Sequence, residues 1–250
     1  MKKITLLFFV TAIAIACKQN PQKEKTTIIK TNYPEALQKI FEKHGSIENW
    51  KKMSVLSFTK GDEVHTTDLH TRKSLIKSPK YSIGFDGEKA WLSQKDTTAF
   101  KSKPEFYYNL YFYFYTMPFV LADEGIVYSE TKPISFEGVD YPGIKISYNN
   151  GVGASPEDNY FLYYNPKTYQ MEWLGYTMTY FSQKESKAIS LIRYNDWVNV
   201  EDFLLPNSLT WYKKGGNGNP ISPARPAVEF TNITVSQTSL KYSFFNKPIE

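Results

Sequence analysis

Residues 104–119 read PEFYYNLYFYFYTMPF, and this stretch decides how the rest of the chain must fold. Nine of the fourteen residues from Phe106 to Phe119 are Phe or Tyr, and none is charged. Pro104 suits the first position of a helix, and Pro118 would end one. Fourteen uncharged residues exceed a typical strand, so the stretch predicts a helix. Because apolar groups lie all round this helix, it must be buried on most of its sides.

Two interpretations of the aromatic helix stay open. It is either a core helix packed against a sheet, or a plug that lies inside a curved sheet and leaves room for an apolar ligand. Under the second interpretation, aromatic side chains of the helix and of a later strand line the pocket. These predicted ligand-binding residues are Tyr108, Tyr111, Phe112, Tyr115, Phe119, Trp173 and Tyr176.

Short segments with strand periodicity stand on both sides of the helix. They are residues 53–59, 63–72, 81–85, 90–93, 126–130, 133–137, 143–148, 159–165, 170–181, 188–195, 203–212 and 226–236. Before them, residues 34–44 predict a helix, because Leu37, Ile40 and Phe41 fall on one stripe. The predicted fold class is α+β. It comprises one long curved antiparallel sheet (an incomplete β-barrel), the N-terminal helix and the aromatic helix plugging the concave face.

Two of the predicted strands carry apolar side chains on both faces. Segment 159–165 alternates Tyr160, Leu162 and Tyr164 with Phe161 and Tyr163. Segment 170–181 is similarly apolar on both sides. A sheet with one face in water should alternate between apolar and polar residues. Either a second layer covers this sheet, or it lines a pocket, or it meets a membrane or a partner.

The N-terminus has the pattern of a bacterial lipoprotein signal. Lys2 and Lys3 precede an apolar stretch that ends in Ala14-Ile15-Ala16-Cys17. The stretch is too short to span a bilayer, which takes roughly 20 apolar residues. It predicts a signal peptide at residues 1–16, with lipidation of Cys17, the sole cysteine of the chain. An ordinary secreted protein with a stray cysteine is the alternative.

The signal pattern places the rest of the chain in the cell envelope, and its length and composition predict one domain. Residues 17–31 are the lipidated cysteine and a polar, disordered tether, and residues 32–250 are a single folded domain. Removal of the predicted signal peptide takes away Lys2 and Lys3, so 28 of the 30 basic residues remain, against 25 acidic ones. This balance gives no reason to expect a nucleic-acid partner. With one cysteine no internal disulfide can form, so stability must come from the hydrophobic core.

Four phrases of the sequence resemble the LolA/LolB-type lipoprotein carriers, and within that group lipoproteins of unknown function. They are His44–Trp50, Asp68–Lys73, Met117–Asp123 and Tyr164–Tyr169. The resemblance covers about residues 32–250 and implies an incomplete barrel whose helical lid holds acyl chains in an apolar cavity. Cys17 makes the chain more similar to the anchored receptor than to the soluble carrier. In some bacteria, acidic residues directly after the lipidated cysteine direct a lipoprotein to the cell surface. Lys18, Gln19 and Asn20 are not acidic, which implies an outer-membrane anchor facing the periplasm.

Catalytic motifs are scarce, and one polar run is the candidate. If residues 63–72 form a strand, Asp68, His70 and Arg72 share a face. They could form an ionic ladder, contact an anionic headgroup at the pocket mouth, or orient a general base. His65 would point to the opposite face, which disfavours a metal site. We predict no catalytic residue, no metal and no cofactor.

Three functional hypotheses follow from these patterns. The first is a membrane-anchored envelope lipoprotein that binds an acyl chain or another apolar ligand in a curved-sheet pocket. The second is a structural or interaction lipoprotein with a self-filled core and another envelope protein as partner. The third is an envelope hydrolase that uses Asp68 and His70.

Overall fold

The computed structural model describes residues 33–149, 158–179, 186 and 188–248. The predicted signal peptide, the predicted lipidation at Cys17 and the predicted tether lie outside the described residues.

The helices begin and end where local chemistry dictates. α1 (Glu35–Lys43) buries Leu37, Ile40 and Phe41, as its apolar stripe predicts. Gly45 ends this helix with a φ of 113°, a backbone conformation that favours glycine. α2 (Ile47–Trp50) follows, and the Ser46 side chain caps it by accepting a hydrogen bond from the Asn49 N–H at 3.2 Å. The aromatic stretch forms α3 (Pro104–Tyr115), with proline at its first turn.

Fourteen strands make up the rest of the regular structure of the described residues. In chain order they are β1 (Val55–Lys60), β2 (Glu63–Asp68), β3 (Ser74–Lys77), β4 (Tyr81–Phe85), β5 (Ala90–Gln94), β6 (Ile126–Phe136), β7 (Val139–Tyr148), β8 (Tyr160–Tyr164), β9 (Met171–Tyr176), β10 (Ser190–Val200), β11 (Phe203–Lys214), β12 (Pro220–Pro223), β13 (Val228–Glu229) and β14 (Thr231–Ser236). Short 3-10 helices occupy Phe119–Ala122 and Tyr242–Phe245.

The strands form two antiparallel sheets rather than one long sheet. The first has the order β14-β1-β2-β3-β4-β5, and the second has the order β12-β11-β10-β9-β8-β7-β6, with β13 paired to β11. The first sheet ends at β5 and the second begins at β6, and α3 lies between these two strands in the chain. The α+β class and the antiparallel arrangement are confirmed.

The second sheet curves strongly. Its edge strands approach each other, since the Ser135 N–H on β6 donates a hydrogen bond to Asn219 Oδ1 beside β12 at 3.1 Å. Neither sheet closes into a barrel among the described strands. The two segments predicted at 126–130 and 133–137 are one strand, β6, with an irregular register between Thr131 and Ile134. Pro133 explains the irregularity, because proline has no N–H to donate to the ladder.

α3 crosses from the first sheet to the second. Near its start, Tyr108 stacks on Phe85 of β4, with ring centroids 4.8 Å apart. Near its end, the ring of Phe114 lies 5.1 Å from that of Tyr176 on β9. The Tyr194 hydroxyl of β10 also donates a hydrogen bond to the main-chain oxygen of Phe114 at 2.7 Å. The aromatic stretch is therefore a helix packed against both sheets, as its composition predicts.

The second sheet carries buried side chains on both faces, which accounts for its apolar strands. One face joins the main core with α1 and α3. The other face holds a separate cluster. Its buried members are Ile134, Tyr141, Tyr163, Trp173 and Leu191, and we call them the outer cluster. Of the explanations left open by the sequence, a covering layer applies to this face of β9, where the rings of Phe136 on β6 and Tyr212 on β11 pack against Trp173.

Candidate functional site

Four tyrosines lie together where α3 meets the second sheet. They are Tyr113 of α3, Tyr148 of β7, Tyr160 of β8 and Tyr176 of β9, and we call them the tyrosine cluster. Tyr160 and Tyr176 are register partners, and the rings of Tyr148 and Tyr160 are 6.2 Å apart. The Tyr176 hydroxyl accepts a hydrogen bond from the Trp211 indole N–H at 3.0 Å.

The tyrosine cluster is poor in water but still reachable from solvent. Burial raises the pKa of Tyr113, Tyr148 and Tyr160, and neighbouring phenols raise the pKa of the last two further. All four side chains are nevertheless only partly buried. Together with Leu110 and Phe114 of α3, they form an aromatic surface with several hydroxyl groups. Such a surface suits a ligand with a long apolar part.

An ion pair borders this cluster. Arg72 donates hydrogen bonds from Nη2 to both carboxylate oxygens of Asp123, at 2.7 and 2.8 Å. The Arg72 guanidinium also lies over the Phe112 ring of α3, 4.9 Å from its centroid. Burial raises the pKa of Asp123, and the charge of Arg72 opposes that rise. Because Phe112 is the residue before Tyr113 in α3, the contact of Arg72 with the Phe112 ring places the ion pair beside the tyrosine cluster. The charge of Arg72 lowers the pKa of Tyr113, and that of Asp123 raises it.

The predicted row of Asp68, His70 and Arg72 on one strand face is wrong. β2 ends at Asp68, and the following residues form a turn in which Arg72 has a φ of 61°. The Asp68 carboxylate accepts hydrogen bonds from the N–H groups of His70 at 3.0 Å and Thr71 at 2.7 Å. This local side-chain turn outweighs the strand alternation. His70 is exposed, and Arg72 is the member of the row that reaches α3.

Two of the predicted ligand-binding residues are ordinary core. Tyr115 is 0% exposed and stacks on Phe58 of β1 with ring centroids 4.3 Å apart. Phe119 is 1% exposed and stacks on Trp50 of α2, also at 4.3 Å. Trp173 belongs to the outer cluster, on the face of β9 opposite to Tyr176. A ligand beside α3 would therefore not touch these three residues.

The remaining predicted residues divide between the two sheets. Tyr108 and Tyr111 face the first sheet, where the Lys60 ammonium lies 4.4 Å from the Tyr111 ring centroid. Phe112 is buried beneath Arg72. Tyr176 is the one predicted residue that belongs to the tyrosine cluster. Tyr113, Tyr148 and Tyr160 were not singled out by the sequence, although Tyr148 and Tyr160 stand at the ends of predicted strands.

A buried carboxylate that sequence reasoning missed joins α3 to the first sheet. Glu63 of β2 is 2% exposed and accepts hydrogen bonds from the hydroxyls of Tyr81 at 2.5 Å and Tyr107 at 2.9 Å. Lys60 Nζ lies 2.6 Å and His65 Nε2 lies 3.1 Å from Glu63 Oε2. Burial alone would raise the pKa of Glu63, but the hydrogen bonds from His65, Lys60 and Tyr81 and the charge of Lys60 lower it to about 2. The alternation of β2 puts Glu63 and His65 on one face, yet only the fold brings Tyr81 and Tyr107 to them.

Other features of the described residues add little to this site. An open surface pocket of about 670 Å³ lies between the β6–β7 turn and the β11–β12 hairpin, and its lining includes Ser135, Glu137 and Asn219. Within the described ranges, no three His, Cys, Asp or Glu side chains are grouped to hold a metal ion. None of the helices in those ranges has the length and apolar character needed to cross a membrane.

Fold and site together define an antiparallel α+β protein with an aromatic helix packed against two sheets. The chain belongs to a family described as "Family of unknown function (DUF6503)", whose model matches residues 2–189. No curated protein matches it.

Solved structures give likenesses at low sequence identity. The chain is similar to a DUF1329 family protein from Desulfovibrio piger, with 8% identity, a TM-score of 0.46, and coverage of 84% of this chain and 95% of that one. It is also similar to a LolA superfamily protein from Nitrosomonas europaea, with 9% identity, a TM-score of 0.40, and coverage of 85% of this chain and 96% of that one.

Proposed function

We propose that this protein binds an acyl chain or another apolar ligand at the tyrosine cluster, between α3 and the second sheet. The observation that carries the proposal is the position of four partly buried phenols beside the apolar side chains Leu110 and Phe114. Aromatic side chains that pack only against each other tend to be fully buried, as Tyr115 and Phe119 are in the same segment. Partial burial at the tyrosine cluster leaves apolar surface for a guest molecule to cover.

Binding would draw its free energy from removing methylene groups from water. Each buried methylene contributes about 0.8 kcal/mol, so a chain that buries five or six of them reaches roughly 4 to 5 kcal/mol before the cost of ordering it. The phenol hydroxyls can donate hydrogen bonds to an ester or carboxylate oxygen. At the rim, the guanidinium of Arg72 is paired with Asp123 and its side chain is about one-third exposed, so it can still contact an anionic headgroup.

The same proposal places the protein in the bacterial cell envelope, anchored through Cys17. The signal pattern at residues 1–16 and the polar stretch at residues 17–31 support this placement. An outer-membrane anchor that faces the periplasm agrees with Lys18, Gln19 and Asn20. The test is metabolic labelling with an alkyne fatty acid: the chain should carry the label, and Cys17→Ser should lose it. A labelled Cys17→Ser chain, or an unlabelled parent, would contradict the anchor.

Ligand binding is tested on the chain from Lys18 to Glu250, which contains every described element. Native mass spectrometry should show a co-purified lipid mass, and a fluorescent fatty acid should bind. The double variant Tyr113→Ala/Tyr160→Ala should weaken that binding by roughly tenfold or more, because it removes two of the four aromatic walls. Tyr212→Ala is the matched control, since Tyr212 is partly buried against the outer cluster on the opposite face of the sheet. Urea unfolding of each variant shows whether the fold persists.

A second function is favoured by a specific observation. Tyr115 and Phe119, which a carrier pocket under α3 would expose, are completely packed by Phe58 and Trp50. This packing supports a structural or interaction lipoprotein whose partner is another envelope protein. If the parent chain shows only the mass of the polypeptide and does not bind the fatty acid, the acyl-chain proposal is refuted and this second function remains. Equal weakening by Tyr212→Ala would remove the tyrosine cluster as the binding site.

A further inference from the structure

The C-terminal 3-10 helix presents aromatic side chains to solvent from a firmly attached backbone. Tyr242 is 65% exposed and Phe244 is 42% exposed. Phe245, the residue after Phe244, is fully buried, and its main-chain oxygen accepts a hydrogen bond from the Trp91 indole N–H of β5 at 3.0 Å. The two exposed rings are therefore held outward by an anchored turn.

Positive charge surrounds these rings. Lys73 Nζ lies 4.3 Å from the ring centroid of Tyr242, and Lys241 and Lys247 flank the helix in the chain and are exposed. Tyr242, Phe244 and these three lysines make up what we call the C-terminal aromatic face. The neighbouring β4–β5 turn, whose Gly87 lies against the Lys73 side chain, adds Lys89, Asp86 and Glu88. Among the described residues of these two segments, four lysines stand against two acids, which is an excess of positive charge.

We propose that the C-terminal aromatic face docks on an anionic membrane surface. Tyrosine and phenylalanine rings with nearby lysines are typical of residues that sit at the headgroup level of a bilayer, where the rings enter the interface and the ammonium groups meet lipid phosphates. Charge complementarity selects this occupant over a neutral surface. The docking site is separate from the tyrosine cluster and does not depend on the ligand proposed there. In an anchored protein it would fix the orientation of the folded domain on the bilayer.

The experiment measures flotation of the Lys18–Glu250 chain with vesicles. This chain lacks Cys17, so no acyl anchor contributes. It should bind phosphatidylcholine vesicles that contain phosphatidylglycerol, bind much less to phosphatidylcholine alone, and release in high salt. Tyr242→Ser/Phe244→Ser should weaken binding on the order of tenfold, and Lys241→Gln/Lys247→Gln by roughly fivefold per lysine. Val139→Ser/Ile221→Ser is the matched control, because these apolar side chains are also exposed (36% and 61%) but lie on the second sheet.

A parent chain that does not float with anionic vesicles, or that floats equally with neutral ones, overturns the proposal. If Val139→Ser/Ile221→Ser weakens vesicle binding as much as Tyr242→Ser/Phe244→Ser does, the assignment to the C-terminal aromatic face is overturned. If the parent fails to float but self-associates in sedimentation, and Tyr242→Ser/Phe244→Ser abolishes that association, the face is a contact between copies instead. Thermal melts of the exposed-site variants should match the parent, and their fatty-acid binding should be unchanged.

Discussion

Replacing Glu63 by glutamine should destabilise the protein in a pH-dependent way. The carboxylate is 2% exposed, and its contacts join Lys60 and His65 on the first hairpin to Tyr107 of α3. The variant Glu63→Gln keeps the size of the side chain and some hydrogen bonds but removes the negative charge. Lys60 then loses its ion-pair partner, with only 17% of its side chain exposed to water.

The magnitude follows from the pKa of Glu63. The value falls from 4.5 to about 2 in the folded protein, which corresponds to about 3 kcal/mol of stability at pH 7. Since the folded pKa is the lower one, this stabilisation is complete above about pH 4.5 and is lost as the pH falls towards about 2. At pH 3 about 1.4 kcal/mol should remain.

Urea unfolding of parent and variant at pH 7 and pH 3 measures both values. The difference in unfolding free energy should be about 3 kcal/mol at pH 7 and less than half of that at pH 3. Glu88→Gln is the control, because Glu88 lies exposed in the β4–β5 turn and should change stability by less than about 0.5 kcal/mol. A pH 7 difference below about 1 kcal/mol, or one that persists unchanged at pH 3, would refute the assignment of this stability to the buried charge.

Two further predictions concern the core. Burial lowers the pKa of His44 to about 4, and the neutral ring bonds the Leu204 carbonyl at 3.0 Å and the Met171 N–H at 3.1 Å. The free energy of unfolding should therefore fall by about 3 kcal/mol as the pH drops from 6.5 to 4. Urea unfolding of His44→Gln should show a smaller change over the same range. An equal pH dependence of the unfolding free energy in parent and variant would contradict this. Phe119→Ala should cost about 3 to 5 kcal/mol in a thermal or urea melt, because it empties the stack on Trp50; a loss below about 1 kcal/mol would show that this stack is not part of the core.

Local patterns predicted the elements that depend on neighbours in the chain. The stripe of Leu37, Ile40 and Phe41 predicts α1, and the prolines at 104 and 118 bound the aromatic helix. Helices and antiparallel strands follow from such patterns because backbone hydrogen bonding and side-chain periodicity are short-range effects. The same reasoning failed where a short-range competitor was overlooked. The Asp68 side chain closes a turn and ends β2 early, so the predicted face of Asp68, His70 and Arg72 does not exist.

Sequence patterns are enough to predict an antiparallel α+β protein with a buried aromatic helix, and they predict a lipid anchor at Cys17. Which aromatic side chains are core and which stay partly exposed depends on the tertiary structure. Tyr113 and Tyr115 are two residues apart in one helix, yet the first is only partly buried while the second is sealed beneath Phe58. That choice depends on how two separate sheets close around α3, and contacts between residues distant in the chain leave no periodic signal in the sequence.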